Sequence, residues 1–174
     1  MLAETAQLVA GGSIHVLVNN AGVLEEWKAI NDTDPSEWQR TWMVNVRGIF
    51  LATKALLPSM LAHKGGTIIN ISSIGGLLTR TGASAYQMSK TDVTRFTAFL
   101  DADHSSQGIR TFALEPGNVS TDLALCMPED LHHILVDKPE LSGAACVYLT
   151  TSSDASLVVK QTTCKAAMSL QTGI

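Results

Sequence analysis

Residues 73–90 read Ser-Ile-Gly-Gly-Leu-Leu-Thr-Arg-Thr-Gly-Ala-Ser-Ala-Tyr-Gln-Met-Ser-Lys and end in Tyr86 and Lys90, which are four positions apart. In a helix, this spacing places both side chains on one face, one turn apart. An ammonium group beside a phenol favours the tyrosinate, so we expect Lys90 to lower the pKa of Tyr86. The pair is therefore a candidate proton-transfer device for a hydroxyl or carbonyl substrate, and Ser73 is a candidate hydrogen-bond partner of the same substrate oxygen. The alternative is a surface aromatic–cation pair on an amphipathic helix.

Outside this stretch, apolar runs predict buried strands that each lead into small or polar residues. The runs are residues 14–18, 67–71 and 109–114, and they lead into Asn19-Asn20-Ala21-Gly22, Ser72-Ser73 and Glu115-Pro116-Gly117-Asn118-Val119-Ser120-Thr121. Helical segments alternate with the runs, which predicts an α/β fold with a parallel sheet and helices on both faces. Ligands bind at the carboxyl ends of the strands in such sheets, so the candidate chemistry falls along one edge. Taken alone, the segment 19–22 would be read as an ordinary polar turn.

The first long helix is predicted to begin at Asp34, with Pro35 in its first turn. Apolar residues then recur at helical spacing from Trp38 onward. Asn45 and Gly48 interrupt this pattern, and both are poor formers of helix interiors. Two interpretations stay open, since Asn45 either bends the helix and frees a carbonyl for water or is a tolerated defect.

The other segments are assigned from the same patterns. Residues 2–10 are read as the end of a helix, 83–104 as the helix that carries Tyr86, 122–137 as a loop or short helix over the site, and 141–149 as a further helix. An apolar inner face of the covering segment is expected from Leu123, Leu125, Met127 and Leu131. Residues 1–152 are assigned to one domain, and 153–174 to a divergent, irregular tail with a possible strand at 157–159.

Composition excludes several classes of protein. The 174 residues carry a net charge of −4 with no basic stripe, which argues against nucleic-acid binding. No run is long and apolar enough to span a membrane, and the start lacks the features of a signal peptide, so cytoplasm is the expected location. Cys126, Cys146 and Cys164 show no metal-binding or disulfide spacing, and we expect no metal site.

Together these motifs resemble the short-chain dehydrogenase/reductase family. The resemblance rests on Asn19-Asn20-Ala21-Gly22, Asn45 in an Asn-Val-x-Gly string, Ser73, Tyr86-x-x-x-Lys90 and Pro116-Gly117, with thirteen positions from Ser73 to Tyr86. It covers residues 1–152 and implies a Rossmann-type, doubly wound parallel sheet. Residues 111–150 are also loosely similar to reductases of fungal secondary metabolism.

The resemblance implies an oxidoreductase that transfers hydride between NAD(P), with NADP slightly favoured, and a small carbonyl or alcohol substrate. Tyr86 would be the acid/base, and Lys90 would lower its pKa and hold the nicotinamide ribose. Ser73 would orient the substrate carbonyl, and Asn45 would anchor a water of the proton relay. The implied cofactor-binding residues are Asn19, Asn20, Ala21, Gly22, Tyr86, Lys90, Pro116, Gly117, Val119 and Thr121.

The chain departs from the family pattern at both ends. The family's glycine-rich turn, whose backbone amides hold the pyrophosphate, is missing, because Gly11 and Gly12 precede a strand instead of following one. About 75 residues, or two to three βα units, are expected to be absent, so the fold would be a partial one that lacks the first βαβ units. A truncated or mis-spliced gene would account for both ends. The run at 14–18 would then be an exposed apolar sheet edge.

Three functional hypotheses follow. The first is an oxidoreductase that binds its cofactor poorly and turns over slowly or not at all. The second is a non-catalytic protein that pairs with a full-length relative through helices 36–62 and 83–104, which commonly form the family's dimer face. A homo-oligomer through the same helices is expected from the resemblance. The third is a lyase or epimerase, against which the Asn-Asn-Ala-Gly turn and the short chain argue.

Overall fold

The computed structural model describes residues 11–152 and 161–163. Its strands are β1 (Val16–Asn19), β2 (Gly66–Ile71), β3 (Ile109–Glu115) and β4 (Gln161–Thr163). Its α-helices are α1 (Pro35–Trp42), α2 (Ile49–Ala62), α3 (Ser84–His104) and α4 (Pro139–Thr151). A π-helical segment, Met43–Gly48, joins α1 to α2. Short 3-10 turns lie at Ile30–Asp32, Ile74–Gly76, Ser105–Gln107, Ala124–Cys126 and Glu129–Ile134.

The strands form one parallel sheet in the order β1-β2-β3-β4. Val18 pairs with Ile69, and Ile69 pairs with Phe112, so the three longer strands end at nearly the same level. A helical connection separates each strand from the next, as parallel pairing requires. The predicted parallel α/β sheet is thereby confirmed.

The sheet is covered on both faces, because neighbouring residues of a strand point to opposite sides. One core cluster joins β2 and β3 to α2 and α3 and contains Met60, Ile68, Leu100 and Ile109. The other joins the same strands to α4 and contains Ile69, Phe112, Leu114, Ala145 and Leu149. The doubly wound arrangement therefore follows from the alternation of Ile68 and Ile69 within β2.

Local signals set the helix ends. The Asp34 side chain accepts a 2.7 Å hydrogen bond from the backbone N–H of Ser36, and Pro35 occupies the first turn, so the predicted start of α1 is confirmed. After α3, Gly108 takes a left-handed conformation (φ 87°). A Cβ at this position would lie 2.6 Å from the carbonyl oxygen of Lys64, so the turn needs glycine.

The predicted long helix is not continuous, since its middle is the π-helical segment around Asn45. Such segments are rare and occur frequently at functional sites. The side chain of Asn45 is fully buried and bonded to other elements, so this residue has a defined structural role and is not a tolerated defect.

The tail contains regular structure at one point. Residues 161–163, which the sequence assigned to an irregular tail, pair in parallel with the end of β3. The helix predicted at 141–149 is longer and begins at Pro139. The helix predicted at 2–10 and the possible strand at 157–159 lie outside the described residues.

Strand β1 lies at the edge of the described sheet, and Val16 and Val18 are 43% and 41% exposed. The expected apolar edge is therefore present within the described ranges. Across these same ranges, no helix combines the length and hydropathy needed to cross a bilayer.

Candidate functional site

A cleft of about 990 Å³ opens along the carboxyl ends of β1, β2 and β3. The residues after β1 and β2 that line it include Asn20, Ala21, Gly22 and Ser73, and those after β3 include Pro116, Gly117, Val119 and Thr121. Tyr86 and Lys90 of α3 also line the cleft. The sheet thus brings together segments that are up to a hundred positions apart in the sequence.

Tyr86, Lys90 and Ser73 meet on one side of the cleft. The Nζ atom of Lys90 lies 5.6 Å from the centre of the Tyr86 ring and donates a 2.7 Å hydrogen bond to the carbonyl oxygen of Ile71. The hydroxyl groups of Ser73 and Tyr86 are hydrogen-bonded to each other. The Ser73 hydroxyl also accepts a 3.1 Å bond from the backbone N–H of Gly75. The three side chains predicted to act together are therefore neighbours.

The pKa of Tyr86 is shifted in the direction opposite to the one expected from the sequence. Burial raises the pKa of the phenol, its hydrogen bond to Ser73 lowers it, and the nearby charge of Glu115 raises it further. Burial also lowers the pKa of Lys90 to about 8. The expected lowering of the pKa of Tyr86 is therefore not found in this arrangement, because burial of the phenol is the largest cause of its shift.

Asn45 is fully buried, and its side chain is hydrogen-bonded to groups of two other segments. Its Nδ2 donates to the carbonyl oxygen of Val23 (2.9 Å) and to the hydroxyl of Ser89 (3.0 Å), and its Oδ1 accepts from the backbone N–H of Val23 (2.9 Å). Ser89 belongs to the helix that carries Tyr86. Asn45 therefore fastens the segment after Gly22 to α3.

Asn19 does not line the cleft, although the resemblance placed it among the cofactor-binding residues. Its side chain is buried and donates to the Oδ1 of Asn70 (2.8 Å) and to the hydroxyl of Thr53 (3.3 Å). Asn70 in turn donates to the hydroxyl of Thr97 (2.9 Å). Asn19 is the last residue of β1, and its side chain lies on the face of the sheet that α2 and α3 cover. Its hydrogen bonds join β1 and β2 to these two helices.

The predicted cover is present as two 3-10 turns within residues 122–137. Leu123, Met127 and Leu131 line the cleft as expected. Leu125 is not among the lining residues and is 50% exposed. Ile134 and Leu135 also line the cleft and were not predicted.

No sequence pattern indicates two residues that hold the backbone around Tyr86. The carboxylate of Glu25 is buried and accepts hydrogen bonds from the backbone N–H groups of Ala85 and Tyr86. The amide of Gln87 donates to the carbonyl of Gly82 (2.6 Å) and accepts from the N–H of Arg80 (2.8 Å), which shapes the loop before α3. Neither Glu25 nor Gln87 is part of a recognisable sequence motif. The hydrogen-bond partners of Glu25 lie about 60 positions further along the chain.

Comparison with known proteins identifies similar sequences and a similar fold. The chain is 47% identical over 141 residues to the short chain dehydrogenase citE of Monascus ruber, and the match covers 81% of this chain and 48% of that protein. It is 40% identical over 149 residues to a cyclopentanol dehydrogenase of Comamonas sp., covering 83% of this chain and 56% of that protein. The chain thus spans about half the length of these curated relatives.

A solved structure has the same fold. The gluconate 5-dehydrogenase of Burkholderia cenocepacia, crystallised with NADP and tartrate, matches 98% of this chain and 69% of its own with a TM-score of 0.83 at 24% identity. A sequence model described as short chain dehydrogenase matches residues 1–131. The chain therefore belongs to the short chain dehydrogenase family.

Proposed function

We propose that this chain contains the catalytic and nicotinamide-binding part of an NAD(P)-dependent oxidoreductase that acts on a small carbonyl or alcohol substrate. The observation that carries the proposal is the hydrogen bond between Tyr86 and Ser73 beside the ammonium of Lys90 at the wall of the cleft. The family assignment and the name of the cyclopentanol dehydrogenase among the relatives support an alcohol–ketone reaction.

Residue 22, at the corner of the cleft beside Lys90, is a glycine. A Cβ added to Gly22 would lie 3.6 Å from the Oδ1 of Asn45 and 3.8 Å from the Nζ of Lys90, so the absence of a side chain leaves this corner open. The residues that would hold the nicotinamide end are Asn20, Ala21, Gly22, Lys90, Pro116, Gly117, Val119 and Thr121. When bound there, NAD(P) supplies or accepts the hydride.

The protein's own contribution is to hold the substrate oxygen and move a proton. The hydroxyl groups of Ser73 and Tyr86 would both donate to the substrate oxygen, and Tyr86 would give up its proton as a carbonyl becomes an alcohol. The raised pKa of Tyr86 keeps the phenol protonated and suits this direction. Lys90, whose pKa is about 8, would place a positive charge beside the phenolate that forms.

The relay role of Asn45 remains a prediction. Both hydrogens of its Nδ2 are used by Val23 and Ser89. A relay water would therefore have to bind an oxygen atom of Asn45, either the main-chain carbonyl or the second lone pair of Oδ1.

We further propose that the 174-residue chain binds NAD(P) weakly by itself. Within residues 11–152 and 161–163, no glycine-rich turn follows a strand in the way that would bind a pyrophosphate.

The test is a fluorescence titration of the purified chain with NADH and, separately, with NADPH, followed by single-turnover reduction of cyclopentanone. Tyr86→Phe keeps the aromatic ring but lacks the proton donor, so it should slow the chemical step by about 100-fold or more. Tyr148→Phe, which changes the second tyrosine on α4, is the matched control and should leave both measurements unchanged. Equal turnover by Tyr86→Phe and wild type would refute the role of Tyr86.

An apolar surface favours a second candidate function, which is pairing with another copy of this chain through α2 and α3. Phe50 of α2, Met88 and Phe99 of α3, and Met43 of the adjoining π-helical segment are between 42% and 55% exposed. A shallow apolar depression of about 390 Å³ lies between Phe50 and Phe96 on this face. Sedimentation of Phe50→Glu tests this function, because pairing predicts a shift from dimer to monomer that leaves the fold intact.

A further inference from the structure

The helix that carries Tyr86 begins without a capping side chain of its own. Its N-cap residue, Ala83, is in the left-handed conformation (φ 51°, ψ 45°) and has no side-chain acceptor. The first backbone N–H groups of a helix have no partner within the helix. In α3 these groups include the amides of Ala85 and Tyr86, so Tyr86 sits in the turn that would fray first.

Glu25 supplies the missing acceptors from a distant segment. Its Oε1 accepts from the N–H of Ala85 at 2.6 Å, and its two oxygens accept from the N–H of Tyr86 at 3.2 and 3.0 Å. The side chain is only 4% exposed. A carboxylate is favoured here because the N-terminus of a helix carries a partial positive charge and because bonds to an ionised acceptor are strong.

The segment that carries Glu25 is itself fixed. Both backbone groups of Val23 are bonded to the side chain of Asn45, and Gly22, directly before Val23, lines the cleft. Residues 22–25 therefore connect the turn after β1, the π-helical segment and the first turn of α3. A displacement of any one of these elements would be transmitted to Tyr86 through this short stretch.

We propose that Glu25 is a positioning residue that fixes the first turn of α3 and thereby holds the hydroxyl of Tyr86 against Ser73 and Lys90. Glu25 does not reach the cleft wall, and it acts through the backbone of Tyr86. Its effect on catalysis rests on the proposed oxidoreductase function. Its effect on the placement of Tyr86 does not.

The first experiment measures amide hydrogen exchange in wild type, Glu25→Gln, Glu25→Ala and Glu26→Gln. Glu26 is the matched control, because its side chain is exposed and pairs with Lys28. In Glu25→Ala, the amides of Ala85 and Tyr86 should lose protection by about 10- to 100-fold, since each loses a bond to a charged acceptor. Glu25→Gln keeps one acceptor oxygen and should give a smaller loss, while Glu26→Gln should give none.

The same samples report the side chain of Tyr86. In spectra of the ring-labelled protein, Glu25→Ala should shift the signals of Tyr86 and leave those of Tyr148 in place. Unchanged protection of the two amides would overturn the proposal. Equal loss of protection along the whole of α3 would also overturn it, because Glu25 would then support the fold in general.

The second experiment separates binding from chemistry in the single-turnover assay. Glu25→Gln should lower the rate of the chemical step by about 10-fold or more, with the Kd for NADPH and the KM for the ketone unchanged, since a displaced acid affects mainly the transition state. If Glu25→Gln loses protection at the amide of Tyr86 but keeps the wild-type rate, the positioning role is refuted. If wild type shows no turnover even with NADPH above its measured Kd, the proposed function fails, and the exchange and ring spectra alone decide whether Glu25 holds Tyr86 in place.

Discussion

Replacement of Lys90 by methionine should change how the stability of the protein depends on pH. Lys90 is 4% exposed, and burial lowers its pKa from 10.5 to about 8. Because the unfolded chain holds this proton more tightly, wild-type stability rises with pH between these two values. From about pH 7 to about pH 10, the gain amounts to roughly 2 to 3 kcal/mol. The Lys90→Met variant lacks this gain, so its free energy of unfolding should fall behind that of wild type by this amount over the same range.

Urea unfolding followed by tryptophan fluorescence at a series of pH values measures the difference. The comparison uses the change with pH and not the absolute stability, because the variant also leaves the carbonyl oxygen of Ile71 without its 2.7 Å hydrogen bond from Lys90. Measurements stop near pH 10, since the raised pKa of Tyr86 lowers stability above that value. Lys54→Met removes an exposed ammonium from α2 and serves as the control. Parallel pH curves for wild type and Lys90→Met would refute the conclusion that the Lys90 ammonium is desolvated.

Other substitutions test the packing of the site and the edge of the sheet. A Cβ at Gly76 would lie 2.8 Å from the carbonyl carbon of Lys90, so Gly76→Ala should lower the free energy of unfolding by about 1 to 3 kcal/mol. Gly143→Ala, in α4 with no atom within 4 Å of the new Cβ, should instead raise it by about 0.5 to 1 kcal/mol, and thermal melting distinguishes the two. Val16→Lys should reduce self-association in light scattering by placing a charge on the exposed edge of β1, whereas Val147→Lys on α4 should have little effect.

The parts of the fold that sequence reasoning predicted depend on local rules. The start of α1 follows from Asp34 and Pro35, and the turn before β3 follows from Gly108, because in each case the deciding residue lies within a few positions of the element that it ends. The strand centres follow from apolar runs bounded by glycine and polar residues. The π-helical segment could be predicted only as a disturbance at Asn45 and Gly48, since its exact form depends on the partners of Asn45.

Sequence reasoning predicted which side chains lie together in the cleft better than it predicted the direction of the Tyr86 pKa shift. Tyr86, Lys90 and Ser73 meet because the sheet places their segments side by side, which the strand order implies. The raised pKa of Tyr86 depends on how deeply the phenol is buried and on the charge of Glu115, and neither follows from spacing. The position of Asn19 away from the cleft could not be predicted for a similar reason, because the last residue of a strand points to one face or the other according to its register.

Glu25 shows why a motif alone does not define this site. The left-handed Ala83 turns the chain into α3 without a side-chain acceptor, and so the proton donor of the motif stands in a turn that needs stabilisation from elsewhere. The acceptor lies in the segment directly after the glycine that opens the cleft, so one short stretch serves both the turn after β1 and the tyrosine helix. A helix with the same Tyr-x-x-x-Lys spacing but an ordinary serine or aspartate cap would not need this connection. The dependence of Tyr86 on Glu25 therefore follows from the backbone of residue 83, which no reading of the catalytic residues by themselves would indicate.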